Sequence, residues 1–160
     1  MPAHAAAHPE SLGPKVAAAD GDAEETALKH LKTYLASAEA LLAHIDDSHS
    51  PVMITITDIA GEGPQILYAN QAFRDMLGYE LGEILGDTLS LFHGPDTDPD
   101  AVKAMRKELL HTGFAKTELV RYRKNGDSFL SYVTASRMRD EAPGQGVFLF
   151  VENEVPTRAS

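Results

Sequence analysis

Near Pro51 the rhythm of apolar and polar positions changes. From there to about residue 153 the chain reads as short alternating or apolar runs with turn signals between them, the pattern of strands and short helices in a mixed domain. Residues 52–57 (VMITIT) and 65–69 (QILYA) bracket a turn-rich connection from Asp58 to Pro64, which predicts a hairpin. Asn70 is placed to cap the stretch QAFRDML, and Gly78 to end it. An asparagine side chain satisfies free helical N–H groups, and glycine adopts the left-handed backbone that closes a helix. Short helices follow to about residue 93. Asp98 before Pro99 opens a helix of about 99–111 with Val102, Met105 and Leu109 on one face and Gly113 past its end. Residues 116–123 and 128–136 flank Asn125-Gly126, a strong hairpin signal, and GVFLFVEN forms a last strand at about 146–153. Two strands, several helices and then three strands predict an α+β domain: one antiparallel sheet with short helices on one face.

Before Pro51 the period is helical. Asp22 and Glu25 form a capping signature, and residues 23–46 contain no glycine or proline. Leu28, Leu31, Leu35, Ala38, Leu42 and Ile45 recur at spacings of three and four, widened by Tyr34 and Leu41, which is a heptad seam. So narrow a stripe suits another helix better than a broad core, so self-association through Leu28, Leu31, Leu35, Leu42 and Ile45 is expected; packing on its own domain is the alternative. Residues 1–21, rich in Ala, Pro, His and Gly, hold too few large apolar side chains to offset the entropy of ordering and read as a leader. His4 and His8 in it are assigned no role. The expected division is a leader at 1–21, an amphipathic helix at 22–47, a domain at 48–156 and a tail at 157–160.

Composition narrows the function. The formal net charge of −10 disfavours nucleic acid and anionic lipid as partners, and the absence of cysteine excludes disulfides, thiolate metal sites and cysteine nucleophiles. No apolar run reaches the roughly 18 residues a membrane span needs, and the N-terminus lacks the features of a secretory signal, so a cytoplasmic location is expected. His93, Asp96, Asp98 and Asp100 resemble part of a calcium loop, but Ala101 holds its glycine position and Lys107 its last ligand position. No nucleophile-and-base, phosphate-loop or kinase signature is present, so no enzyme is expected.

Tyr68-Ala-Asn70-Gln-Ala72-Phe73, with Met76-Leu-Gly-Tyr79 and Glu83-Ile-Leu-Gly86 behind it, resembles the first half of a PAS domain. Gly94-Pro-Asp-Thr-Asp98-Pro, Arg121-Tyr-Arg-Lys-Asn-Gly-Asp-Ser-Phe129 and Met138-Arg-Asp140 are similar to the matching pieces of the light-sensing LOV branch, over roughly residues 50–155. The resemblance implies a five-stranded antiparallel sheet whose inner face, with the central helices, encloses a ligand pocket. In the LOV pattern G-x-N-C-R-F-L-Q-G the cysteine adds to photoexcited flavin; here Gly86-Asp-Thr88-Leu89-Ser90-Leu-Phe92-His93-Gly94 puts Leu89 in its place. A hydrocarbon forms no thioether. Thr88 replaces the ring-contacting Asn and Ser90 one phosphate-pairing Arg, whereas Arg106 matches the second. The flavin-reading amides correspond to Arg121 and Ser131, the signalling glutamine to Glu152, and Phe150 stands where LOV domains tend to keep glycine.

The resemblance therefore implies pocket residues Leu89, His93, Arg106, Arg121, Ser131, Phe150 and Glu152. Family strand order puts Ser131 between Arg121 and Glu152, where the two long side chains would meet over the small one and fill the pocket; the alternative is an Arg121 that reaches solvent at the sheet edge. Two functions follow as expectations. One is a non-catalytic sensory module that signals by forming a homodimer through the 23–46 helix and the adjoining sheet and by docking a protein partner. The other is a small-molecule sensor that holds FMN non-covalently, haem through His93, or a small anion on Arg121.

Overall fold

The computed structural model describes residues 20–35, 37–58, 64–139 and 145–156. Its elements are α1 (Asp20–Tyr34), α2 (Ala38–Asp46), β1 (Val52–Asp58), β2 (Gln65–Ala69), α3 (Gln71–Leu77), α4 (Leu81–Ile84), a 3-10 turn (Leu89–Phe92), α5 (Pro99–Thr112), β3 (Phe114–Tyr122), β4 (Ser128–Arg139) and β5 (Gln145–Glu154). Residues 1–19 of the expected leader, with His4 and His8, the tail at 157–160 and the middle of the β1–β2 connection lie outside the described residues, and the first helix begins at Asp20, two residues before the expected start.

The helix signals act as read. Asn70 Oδ1 accepts from Phe73 N at 3.0 Å at the start of α3, and Gly78 closes that helix with φ of 86°. Asp98 caps α5 through Asp100 N at 2.9 Å, Pro99 sits in its first turn, and Gly113 ends it. Asn125 and Gly126 lie in the turn between β3 and β4, where Asn125 Oδ1 accepts from Asp127 N at 2.9 Å.

The strands form one antiparallel sheet in the order β2-β1-β5-β4-β3, so the N-terminal hairpin and the three C-terminal strands join along the β1–β5 edge. Strand alternation then sorts the side chains. Leu119 and Arg121 on β3, Phe129, Ser131 and Val133 on β4, and Phe148, Phe150 and Glu152 on β5 are buried. Between them on the opposite face, Leu130 and Tyr132 are 37% and 38% exposed, and Phe114 at the start of β3 is 49% exposed. Phe92 of the 3-10 turn packs edge-on against Phe73 and Tyr79, with ring centroids 5.5 and 5.8 Å away, and locks the short helices together.

The N-terminal segment departs from the single helix its heptad count predicts. It is two helices, α1 and α2, divided around Leu35 and Ser37, with Leu41 N bonding back to Ser37 O at 2.9 Å. Serine competes for backbone hydrogen bonds and favours such starts. The break folds the seam onto its own chain: α1 packs against β2 and α4. Leu31, Leu35 and Ile45, expected at a dimer contact, are buried in the core, and Leu28 and Leu42 are half-buried against it. Among the described residues no helix is long and apolar enough to cross a membrane.

Candidate functional site

On the inner face of the sheet, Arg121 lies opposite Phe129, Ser131 opposite Glu154, and Val133 opposite Glu152. Arg121, Ser131 and Glu152 therefore run along a diagonal of three neighbouring strands, a separation that long side chains bridge. They do so here. Arg121 Nε donates to Glu152 Oε1 at 3.0 Å and Nη2 to Oε2 at 2.6 Å, a bidentate pair, and Ser131 Oγ donates to Glu152 Oε1 at 3.0 Å. All three are buried: Arg121 is 1% exposed, Ser131 and Glu152 0%. The snorkelling alternative for Arg121 is thereby set aside. Desolvating two charges costs several kcal/mol per ion, so a pair this deep holds only because the fork geometry and the serine satisfy the carboxylate. The guanidinium is less complete. Arg121 Nη1 is buried and has no hydrogen-bond partner among the described residues.

Beside this pair lies a cavity of about 140 Å³. Its apolar wall comes from Leu89, Val102, Met105, Leu109, Leu119 and Phe150, and its polar wall from Thr88, Ser90, His93, Arg106 and Arg121. The Thr88 and Ser90 hydroxyls lie 2.7 Å apart and bond each other. A second hollow, nearer the surface, shares His93, Val102 and Arg106 with the first and adds Lys103. An apolar cavity of about 150 Å³ accommodates a benzene ring, whereas pockets for drug-sized ligands start near 300 Å³. By itself the cavity has room for one ring, and the second hollow, of about 370 Å³, adjoins it along His93, Val102 and Arg106. Phe150 and the Arg121–Glu152 pair occupy the inner face of the sheet beside the smaller of the two.

His93 follows the 3-10 turn and is held by the loop behind it. Gly94 N donates to Thr97 Oγ1 at 3.1 Å, and Thr97 Oγ1 donates to Val120 O at 2.7 Å. The Tyr122 ring presses on the same loop: a Cβ added to Gly94 would lie 2.4 Å from Tyr122 Cε1, so the position takes only glycine without rearrangement. Burial, and then the nearby Arg121 cation, push the His93 pKa down to about 4 against a smaller opposing pull from Glu152. The imidazole is neutral at pH 7. Among the described residues no group of three or more His, Cys, Asp or Glu side chains is placed to hold a metal ion.

Of the seven pocket residues inferred from sequence, the cavity wall contains Leu89, His93, Arg106, Arg121 and Phe150. Ser131 and Glu152 belong to the site only through Arg121. Missed were Pro64, Leu119 of β3, and Val102, Met105, Leu109 and Leu110 of α5; the common face of Val102, Met105 and Leu109 was visible at helical spacing, but what that face would meet was not.

A family profile described as a PAS domain matches residues 51–154. Blue-light-activated histidine kinase 2 of Erythrobacter litoralis (strain HTCC2594) is 26% identical over 115 residues, 69% of this chain and 33% of that protein. A blue-light photoreceptor of Listeria innocua is 32% identical over 92 residues, 58% of this chain and 36% of that protein. The chain thus spans about a third of the length of these two curated relatives. Among solved structures, one reporting how a flavin analogue sheds light on the light-oxygen-voltage domain mechanism matches with a TM-score of 0.59 at 30% identity, covering 76% of this chain and 86% of that one. The LOV domain of the Erythrobacter litoralis EL346 blue-light-activated histidine kinase matches in fold, with a TM-score of 0.57 at 24% identity over 67% of this chain and 98% of that one.

Proposed function

This chain belongs to the PAS domain family, and on that premise we propose that it is a sensory signalling module that works without covalent flavin photochemistry, pairs with a second copy of itself and passes its signal to a protein partner. Its solved neighbours are LOV domains, yet the chain contains no cysteine. The observation that carries the reading is the buried Arg121–Glu152 pair, which with Phe150 takes up space on the inner face of the sheet where the resemblance would put a flavin ring. Leu89 at the adduct position supports it chemically, because carbon–sulfur bond formation needs a thiol.

For self-association the outer face of the sheet is the better candidate than the helical seam. Leu31, Leu35 and Ile45 are already buried within the chain, whereas Phe114, Leu130 and Tyr132 present large apolar groups to solvent. Leu130 and Tyr132, two apart on β4, share the outer face of the sheet, and neighbouring exposed apolar residues mark association sites.

Two measurements test the proposal. Protein produced in riboflavin-rich medium should be colourless; the yellow absorption of bound flavin would overturn the photochemistry-free reading, and the red of haem would do the same. Leu130→Thr combined with Tyr132→Thr, which keeps β-branched residues on the strand and adds no charge opposite Glu118, should convert a dimer to a monomer by light scattering. A native protein that is monomeric at high concentration, or a dimer indifferent to the two changes, would remove the sheet contact from the account.

A further inference from the structure

The two edges of the sheet are finished differently. At the β2 edge Ile66 N donates to Asp87 O at 2.8 Å and Gly86 N to Ile66 O at 2.9 Å, so the chain closes that edge itself. At the β3 edge the phase of the ladder decides what is open. Arg137 N donates to Gly113 O and Arg123 N to Asp127 O, each at 2.8 Å, and β3 and β4 keep one register between these points. Hydrogen-bonded pairs alternate along an antiparallel ladder, so the odd-numbered residues of β3 bond to β4 and the even-numbered ones turn their N–H and C=O groups outward. Two threonines close the ends of that outward row. Thr112 Oγ1 accepts from Phe114 N at 3.2 Å and donates to Phe114 O at 2.8 Å, and Thr97 Oγ1 donates to Val120 O at 2.7 Å. Between them the outward main-chain groups of Lys116 and Glu118 meet no partner among the described residues.

We propose that this stretch of β3 pairs with the same stretch of a second copy of the chain, antiparallel about a two-fold axis at Thr117. The stretch is self-complementary. An axis there sets Lys116 opposite Glu118 of the second copy, and Glu118 opposite its Lys116, so opposite charges face each other directly. Both pairs are of the hydrogen-bonded kind, each exchanging two main-chain bonds that are otherwise unmade. The next pair outward is Phe114 with Val120 of the other copy. Phe114 is 49% exposed and Val120 half-buried on the same face, so the capped ends meet through apolar side chains. Charged side chains ordinarily protect a sheet edge. Here they fix the register instead, because an axis at Lys116 or at Glu118 would set like charges against each other. The contact is small and therefore weak, holding only at high protein concentration. It lies apart from Leu130 and Tyr132, and it adds to the outer-face pairing without depending on it.

Because the chain contains no cysteine, one can be introduced without background. Across a non-hydrogen-bonded antiparallel pair the Cα atoms stand about 4.5 Å apart, within the range of a disulfide. Thr117→Cys in the full chain should therefore crosslink to itself under mild oxidation about tenfold faster than Ser128→Cys, an exposed position on β4. Adding Lys116→Glu should slow the crosslink about tenfold, and adding Glu118→Lys should do the same although it lowers the net negative charge. The two exchanges together restore opposite charges across the axis and should restore the rate. Crosslinking no faster than that of Ser128→Cys, single exchanges without effect, or a double exchange that fails to restore the rate would each overturn the proposal. A crosslink that persists alongside Leu130→Thr and Tyr132→Thr supports a contact separate from the outer face, and one lost with them overturns it.

Discussion

Asn70 and Arg121 are both buried polar side chains, one just after the edge strand β2 and the other on the opposite edge strand β3, and they are satisfied to different degrees. Asn70 uses everything it has. Its Oδ1 accepts from Val52 N at 2.9 Å and Phe73 N at 3.0 Å, and its Nδ2 donates to Ile45 O at 2.8 Å and Ser50 O at 2.9 Å. An asparagine amide offers two acceptor sites and two donors, so nothing is left over, and one side chain ties the end of α2 and the starts of β1 and α3 together. Arg121 reaches one carboxylate and leaves Nη1 unmet beside a cavity. A closed polar centre of the first kind fixes a fold. Arg121 keeps an unused buried donor where Asn70 keeps none.

Three changes probe that contrast, in falling order of effect. Glu152→Gln leaves the Arg121 charge buried with only a neutral amide, and breaking a buried pair costs about 3–5 kcal/mol. The melting temperature should drop by about 6–20 °C, at about 2–4 °C per kcal/mol for a chain of this length, and an unchanged melting curve would show that the pair is not buried as described. Asn70→Ala loses a cap and strands backbone groups it had satisfied, at about 2–4 kcal/mol. Urea denaturation should register this as a lower midpoint; a loss under 1 kcal/mol would mean that Asn70 is only a helix cap.

The third change is smaller and depends on pH. Below pH 6.5 the unfolded chain protonates His93, whereas the folded chain resists protonation until about pH 4. The stability linked to a neutral His93 is therefore complete above pH 6.5 and declines as the pH falls toward 4. Comparing urea midpoints at pH 7 and pH 5 should show a larger loss for the native chain than for His93→Gln, which cannot titrate. Equal losses would place His93 in solvent.

Much of this was legible before any coordinates. Turn residues, alternation and caps marked the strands and helices after Pro51, because those signals are local and the chain obeys them: Asn70, Gly78, Asp98, Pro99 and Gly113 all stand at the helix ends they mark. The Arg121–Glu152 contact was legible only through family strand order, since no local pattern couples residues that far apart. The break at Ser37 was hidden for a geometric reason. Leu35 and Ala38 stay in heptad phase across it, so periodicity continues where the helix does not. The further bonds of Asn70 to residues 45, 50 and 52 were equally invisible, because capping rules describe the helix that follows and say nothing of the strand and helix brought against it in space.

A double-mutant cycle on Arg121→Met and Glu152→Leu measures directly whether these two side chains act as one unit. With each single change stranding a buried charge, either alone should cost about 3–5 kcal/mol, while the double variant, with both charges gone and similar volume kept, should be far more stable than the sum implies. Costs that simply add would contradict the buried pair and the small cavity it defines.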